Sequence, residues 1–444
     1  MSHRNFLLLL VTTVVSYVCY VQGAQNPYGR YVANGLAAIE DNSLEPVPSH
    51  ELFDDAMEGM VKALADHGDQ HSQFLSETKA GQLRSEIHQQ VGGIGEHAAF
   101  VGEPPQLTIV GPPDPGTPAA KANLTPGVRI SQIDGKATGG MRLDDALALI
   151  RGEPGTSLRL LVVRSPKATP EEIELVRAII PTESILGERR AADGHWLFTP
   201  EDDPRIAHVR IVSFGERTAY EFGTIMKQLE SQGVQGIVLD LRDNAGGSLS
   251  AAVAVCESLV AAGKTIVETR GRDHEVRQRY ASTSDGLYRD LPVAVIVNQR
   301  SASAAEIVAA CLQDHGRAVV VGERSFGKGT VQQLVPLESG RSLLKLTWAS
   351  FWRPNGANVH RTRGATESGA WGVQPDEGYE CKLSPAEYEA YQQYRDKRDR
   401  YRYPISVDAS DSNAGSAGGK SADFVDGPLK MAEIYLAGKL NGQR

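Results

Sequence analysis

VAVIVNQRSASAAEIVAACLQDHGRAVVVGERSFGKGTVQQ, residues 293–333, is the stretch that decides the fold. It opens on the β-branched run Val293 to Val297, which reads as a buried strand. The polar corner Asn298-Gln299-Arg300-Ser301 follows. Ser303 then heads a helix-compatible run, Ala304 to Leu312, and Ser303 with Glu306 has the S-x-x-E spacing of a capping box. Arg317 to Val321 is a second short β-branched run, and it ends in GERSFGKGT.

A serine before a helix reads most simply as an N-cap. The alternative is a nucleophile. A strand-to-helix corner exposes the hydroxyl, and the free N–H groups of a helix start can stabilise an oxyanion. Lys328, 25 residues on in a Gly-Lys-Gly turn, favours the second reading. A serine hydroxyl needs a base, and a lysine serves when burial keeps it neutral. The Ser–Lys pair is a known variant of the triad. A free lysine titrates near about 10.4, so the surroundings must lower that value. Gly327 and Gly329 let the backbone close in, Phe326 and Val331 are apolar, and the nearest acidic residue, Glu323, is five positions back. Activity is therefore expected to rise with pH through one apparent pKa well below that of free lysine. GERSFGK also fits the first seven positions of a phosphate loop, but Gly329 stands where the Mg²⁺-binding hydroxyl belongs. The following VQQLVPL alternates like a strand and opens no helix.

SASAAEI followed by GERSFGKGTVQQ resembles the core signature of the carboxyl-terminal processing proteases, tail-specific serine endopeptidases with a PDZ domain. The resemblance implies that Ser303 is the nucleophile, that Lys328 is the base and that Gln332 holds the lysine. It extends to DLRDNAGG, residues 240–247, whose glycine corner supplies one arm of the oxyanion hole in the family. That assigns Gly246 or Gly247, with the N–H of Ala304 as the other arm, while Asp240, Arg242 and Asn244 brace the corner. VGGIGEH resembles the carboxylate-binding loop of a PDZ domain, with Gly93, Ile94 and Gly95 presenting N–H groups to a peptide C-terminus held as an added strand. Arg151 is implied as a residue coupling tail binding to the active site. Two departures from the family fall on turns: Asn123 where glycine is usual, and Val128 in place of an aspartate.

The implied fold class is α+β and multi-domain. A signal peptide or anchor over 1–24 precedes a helical N-terminal arm over 25–89 and a β-sandwich-like PDZ domain over 90–178. An α/β, crotonase-like protease core covers 179–380. C-terminal helices over 381–444 contain a flexible linker at 408–422, DASDSNAGSAGGKSA. In the arm, Leu52, Phe53, Ala56, Met57, Met60 and Leu64 recur at helical spacing and predict one apolar face.

At 444 residues the chain has room for two or three domains. A net charge of −9, with no basic run, argues against nucleic acid as partner. His3 and Arg4 precede FLLLLVTTVVSYVCYV, which reads as an export signal cleaved after Gly23, with a retained membrane anchor as the alternative. The expected place is the periplasm or an equivalent extracytoplasmic compartment. Cys256, Cys311 and Cys381 lie in the mature chain without a C-x-x-C, so buried free thiols are expected. His67 and His71, beside Asp66 and Asp69, read as a solvated turn rather than a metal site. No metal or cofactor is expected; the expected partners are proteins or peptides with free C-termini. Two competing readings are a catalytically idle PDZ scaffold and a Ser-His-Asp hydrolase using His208 or His315. The first has no need of Ser303, Lys328 and Gln332 together, and the second lacks a G-x-S-x-G elbow around Ser303.

Overall fold

The computed structural model describes residues 3–24, 27–165, 167–191, 194–366, 368–399 and 424–442, so the expected linker at 408–422 lies outside the described residues. The chain divides into two compact units, residues 1–80 with 333–347 and residues 81–332 with 348–444.

In the first unit, helices His3–Ala24, Pro27–Asn42 and Ser49–Asp66 precede a short strand, Gln73–Leu75. The strand pairs antiparallel with residues 343–345, Phe74 opposite Leu344. Phe53 meets Phe74 edge-on with ring centroids 5.8 Å apart. The expected apolar face holds only in part: Met60 and Leu64 are exposed, and the buried side chain in that half of the helix is Val61. The Asp69 carboxylate accepts from the His71 and Ser72 N–H groups and from the Ser72 and Thr347 hydroxyls, so the His67–His71 segment is a polar turn. Among the described residues, no cluster of three or more His, Cys, Asp or Glu could hold a metal ion. No described helix is long and apolar enough to cross a membrane.

The second unit begins with a small antiparallel sheet. Strands Ala98–Val101, Gln106–Ile109, Arg129–Ile133, Ser157–Val163 and Glu171–Val176 follow one another in that order. Ile94, Leu107, Ile109, Ile130, Ile150 and Leu158 fill its core. Asn123 takes φ +52°, the left-handed conformation that glycine would supply and that asparagine tolerates better than most. Val128 is buried in the same core, so both departures preserve their turns. The sheet joins the rest of the unit through a two-stranded neck, Gln90–Gly93 against Ala178–Pro181.

The remainder is a parallel sheet of β1 (Ile206–Ile211), β2 (Gly236–Asp240), β3 (Val293–Val297) and β4 (Ala318–Gly322), with Ile185–Leu186 antiparallel at the edge of β1. Every residue of these four strands is buried; β3 and β4 accordingly read as apolar runs, whereas β1 alternates and carries His208 and Arg210 into the interior. Alternate side chains serve opposite faces. Val293, Val295 and Val297 pack with α1 (Thr218–Ser231), α2 (Leu249–Glu257) and α3 (Ala304–Asp314). Ala294 and Ile296 face the other way. A helix α4 (Pro385–Asp399) precedes α5 (Gly427–Asn441), and Leu429, Ala432 and Leu436 of α5 cover that second face. Cys256 on α2 and Cys311 on α3 are buried free thiols, and Cys381 is a half-buried one. Because β2 and β3 are parallel neighbours, the two corners at their C-terminal ends lie side by side. Such corners are where open α/β sheets place their sites.

Candidate active site

Ser303 stands at the corner between β3 and α3 with φ +57° and ψ −115°. A side-chain-bearing residue holds such angles only when its surroundings impose them. Those surroundings are hydrogen bonds to the neighbouring corner. The buried Ser301 hydroxyl donates to the Leu241 carbonyl at 2.8 Å and accepts from the Asn298 N–H. The Ala302 N–H donates to the Asn244 carbonyl at 2.8 Å.

On the other side, Asn244 braces the glycine corner after β2. Its Oδ1 accepts from the Gly246 N–H at 2.8 Å, and its Nδ2 donates to the Ile211 carbonyl at 2.7 Å. Gly246 has φ +101°, and a Cβ there would fall 2.7 Å from Ser303 Cβ and 2.8 Å from the Ala302 carbonyl oxygen. Only glycine fits this approach. The Gly246 N–H is thus engaged, whereas the N–H groups of Gly247 and Ala304 have no acceptor among the described residues.

The loop after β4 is drawn to the same place by Glu306, one turn into α3. Its Oε2 accepts from the N–H groups of both Ser303 and Lys328 at 2.8 Å. Its Oε1 accepts from the Gly327 N–H at 2.7 Å and from the Ser325 hydroxyl at 2.5 Å. The Ser303 and Lys328 nitrogens share one oxygen and lie within twice that bond length of each other. Burial raises the pKa of Glu306, and these donors oppose it. With donors on both oxygens, all four bonds are accepted only by the carboxylate. Lys328 is half-buried, and Gln332 donates from Nε2 to the Thr330 hydroxyl at 2.9 Å. Gly327 has φ +87°, and a Cβ there would press on Arg361 Cβ and the Trp371 ring at 2.8 and 3.0 Å. Trp371 is itself held by its Nε1, which donates to the Thr366 carbonyl at 2.8 Å.

A strained serine, two open N–H groups beside it and a lysine on an adjoining loop form a constellation suited to acyl transfer. Comparison with known proteins agrees. The profile of peptidase family S41 matches residues 205–378, and that of the PDZ domain matches residues 109–164. The chain is 33% identical over 390 residues to a carboxy-terminal-processing protease of Bartonella bacilliformis, covering 87% of this chain and 82% of that one. It is 32% identical over 323 residues to the carboxy-terminal processing protease CtpB of Bacillus subtilis, covering 73% of this chain and 64% of that one. The chain belongs to the carboxy-terminal processing proteases. It is a serine-type peptidase acting on protein substrates, and the idle-scaffold reading falls away.

In this carboxy-terminal processing protease, Gly93 ends a neck strand and Ile94 sits wholly buried in the small sheet's core. The N–H groups of Ile94 and Gly95 have no acceptor among the described residues. Gly95 has φ +76°, and a Cβ there would meet the Thr117 side chain at 2.5 Å. Arg151 is exposed at the C-cap of helix Leu143–Ile150, and its charge reaches Glu96, next to that loop.

Neither histidine of the hydrolase reading serves Ser303. His315 caps the far end of α3 and contacts the Thr265 carbonyl through Nε2 at 2.7 Å. His208 is buried between two carboxylates, Glu188 at 2.5 Å and Asp240 at 3.0 Å. Asp240 also pairs with Arg242, which reaches Asp426 at the head of α5. Arg395 and Arg398 of α4 pair with Glu188. Asp240 and Arg242 thus tie α5 to the sheet and Glu188 ties α4, whereas the residue that braces the glycine corner directly is Asn244.

This cluster predicts a pH-dependent stability. Burial opposes the charge on Glu188, but His208, Arg395 and Arg398 hold its pKa at about 2. Burial likewise opposes the charge on His208, and the hydrogen bonds to Asp240 and Glu188 overcome it and raise its pKa. The Glu188 contribution is present above its ordinary value of 4.5 and is lost as pH falls toward about 2. The His208 contribution is present below its ordinary value of 6.5 and is lost as pH rises through the raised value. The urea midpoint is expected to fall on both sides of that window, and His208→Gln should remove the alkaline decline. An alkaline decline of unchanged size in that variant would contradict the assignment.

Sequence reasoning missed three parts of the site. Glu306 reads as a local cap, yet it binds the lysine loop. Ser325 carries no motif role and relays between Glu306 and the Val373 N–H, which donates to its hydroxyl at 2.7 Å. The choice between Gly246 and Gly247 depends on where the Asn244 side chain points.

Proposed function

We propose that the chain is an exported serine endopeptidase in which Ser303 is the nucleophile and Lys328 its general base, acting on proteins captured by their free C-termini. The observation that carries this reading is the shared Glu306 oxygen, which gathers the Ser303 and Lys328 backbones at one point. The Ser303 hydroxyl attacks the scissile carbonyl while the neutral Lys328 amine takes its proton. The N–H groups of Gly247 and Ala304 receive the oxyanion. Lys328, steadied by Gln332, returns the proton to the leaving amine and then activates the water that releases the acyl group.

A fluorophosphonate tests the nucleophile directly. It should label the native protein at Ser303 and label Lys328→Met far more slowly. Labelling on another residue, or an equal rate in the variant, would refute the assignment.

Tail capture is supported by the open N–H groups of Ile94 and Gly95, which suit a carboxylate. A substrate ending in a free acid should be cleaved with a lower KM than its C-terminal amide. Equal KM values would sink the capture idea. Export is supported by the apolar helix His3–Ala24, whose Phe6, Leu7, Leu9, Leu10, Val14 and Val15 are exposed.

A further inference from the structure

Gln89 lies where the chain enters the neck, between helix Glu77–Ile87 and strand Gln90–Gly93. Nothing in its sequence surroundings marks it, but its placement is unusual on two counts. It has φ +51° without being glycine, and it is 2% exposed. A buried amide held in the left-handed region persists only where its neighbours over-determine it.

Those neighbours belong to the segment leading from β1 into α1. Gln89 Oε1 accepts from the Arg217 N–H at 2.6 Å and from the Thr218 hydroxyl at 3.5 Å. Its Nε2 donates to Glu221 Oε1 at 3.3 Å. The other Glu221 oxygen accepts from the Ser184 N–H and hydroxyl, at 3.0 and 2.7 Å, where the chain leaves the neck. Thr218 and Ser184 are both fully buried. The Gln89 side chain lies so close over Gly215 that a Cβ at Gly215 would collide with Gln89 Cγ. The Gly215 N–H in turn donates to the Thr218 hydroxyl at 2.9 Å.

The next residue back is Phe214, and it holds the glycine corner. The Phe214 N–H donates to the Gly246 carbonyl at 3.0 Å, and the Phe214 carbonyl accepts from the Ser248 N–H at 2.7 Å. Gly247 lies between those two bonds, and a Cβ there would fall 2.1 Å from the Phe214 carbonyl oxygen. The peptide plane that aims the Gly247 N–H is therefore fixed by Phe214, and Gly215 beside it is fixed by Gln89.

We infer that Gln89 is a positioning residue for the reaction: it sets the Phe214–Gly215 backbone and through it the direction of the Gly247 N–H. This rests on the reading of Gly247 as an oxyanion donor. A donor displaced by a fraction of an ångström still lets substrate bind but stabilises the transition state less. The expected signature is a fall in kcat with KM nearly unchanged.

The test uses the full-length enzyme, a short peptide amide as substrate, and a peptide aldehyde of the same sequence that adds to Ser303 as a tetrahedral mimic. Gln89→Ala should lower kcat by roughly ten- to a hundredfold, the scale of a small misplacement, and weaken the aldehyde by the same factor. Gln89→Glu loses the donor that faces Glu221 and should fall similarly. Gln89→Glu with Glu221→Gln reverses that hydrogen bond and should recover most of the loss. The Glu variants keep the test open if Gln89→Ala fails to fold. A lowered melting temperature with unchanged kcat and aldehyde affinity would overturn the inference, leaving Gln89 as an anchor of the neck. A rise in KM alone, or no recovery in the double variant, would overturn it too. If aldehyde affinity in the otherwise native enzyme is indifferent to Ser303→Ala, no adduct forms on Ser303 and the proposed nucleophile, on which the Gly247 reading rests, fails; that outcome is recognised without any Gln89 variant.

Discussion

Alanine at Ser303 or at Lys328 is expected to lower kcat for peptide hydrolysis by roughly 10⁴- to 10⁶-fold, the range seen when a nucleophile or its base is removed. The double variant should be no slower than either single one, because the two groups act as a unit. Neither change should unfold the protein. Both side chains are only partly buried, and the hydrogen bonds to Glu306 come from their backbone N–H groups, which alanine retains. Lys328→Arg should be equally inactive, since a guanidinium stays charged in any surroundings and cannot accept the proton. Steady-state kinetics on variants with native denaturation midpoints decide the matter. Turnover within tenfold of the native enzyme in Ser303→Ala, Lys328→Ala or Lys328→Arg would remove the dyad.

The second large effect falls on a residue with no part in bond making. Glu306→Ala leaves three buried or half-buried N–H groups and the Ser325 hydroxyl without their acceptor. Each buried donor left unmade costs roughly 1–3 kcal/mol, against a total stability of about 5–15 kcal/mol for a typical domain. The variant is expected to be severely destabilised or unfolded. Glu306→Gln is the more telling change. Its amide nitrogen must face two donors whichever way it turns. The milder orientation opposes Ser325 and Gly327, because a hydroxyl can rotate. We expect the glutamine variant to fold with a lowered urea midpoint and to lose about ten- to a hundredfold in kcat through misplacement of the lysine loop. A Glu306→Gln enzyme with native kcat would show that the carboxylate does not set the spacing of Ser303 and Lys328.

The corners of the site were legible because their causes are local. β-branched runs give β3 and β4, helix-compatible residues give α3, and the glycines at 246, 327 and 329 mark where backbones must approach closely. The bracing of those corners was not legible, because its causes are far apart in the chain. Glu306 and Lys328 are 22 residues apart, and Gln89 and Arg217 are 128 apart. No spacing rule tells which distant donor a buried side chain will meet. The apolar face of the N-terminal arm was over-read for a related reason: helical spacing assigns a face but not how far along the helix a partner extends. His208 shows the opposite error. It invites a catalytic reading as a histidine near a serine-protease core, whereas two carboxylates, Glu188 and Asp240, hold it in a structural cluster. Glu188, and the Arg395 that pairs with it, lie in segments that carry no motif.

The packing of α5 over the back of the sheet has a consequence for how the enzyme is made. Val238, Ala294, Ile296, Val319 and Val321 are covered by Leu429, Ala432 and Leu436, and the Arg242 charge is met by Asp426. While a nascent chain has grown past Ser303 but not past residue 436, that apolar face and a cation beside the glycine corner remain open to solvent. The residues proposed for catalysis are thus synthesised well before the structure that steadies them. A growing chain carries its own protease in an unfinished state until α5 has emerged from the ribosome and packed on the sheet.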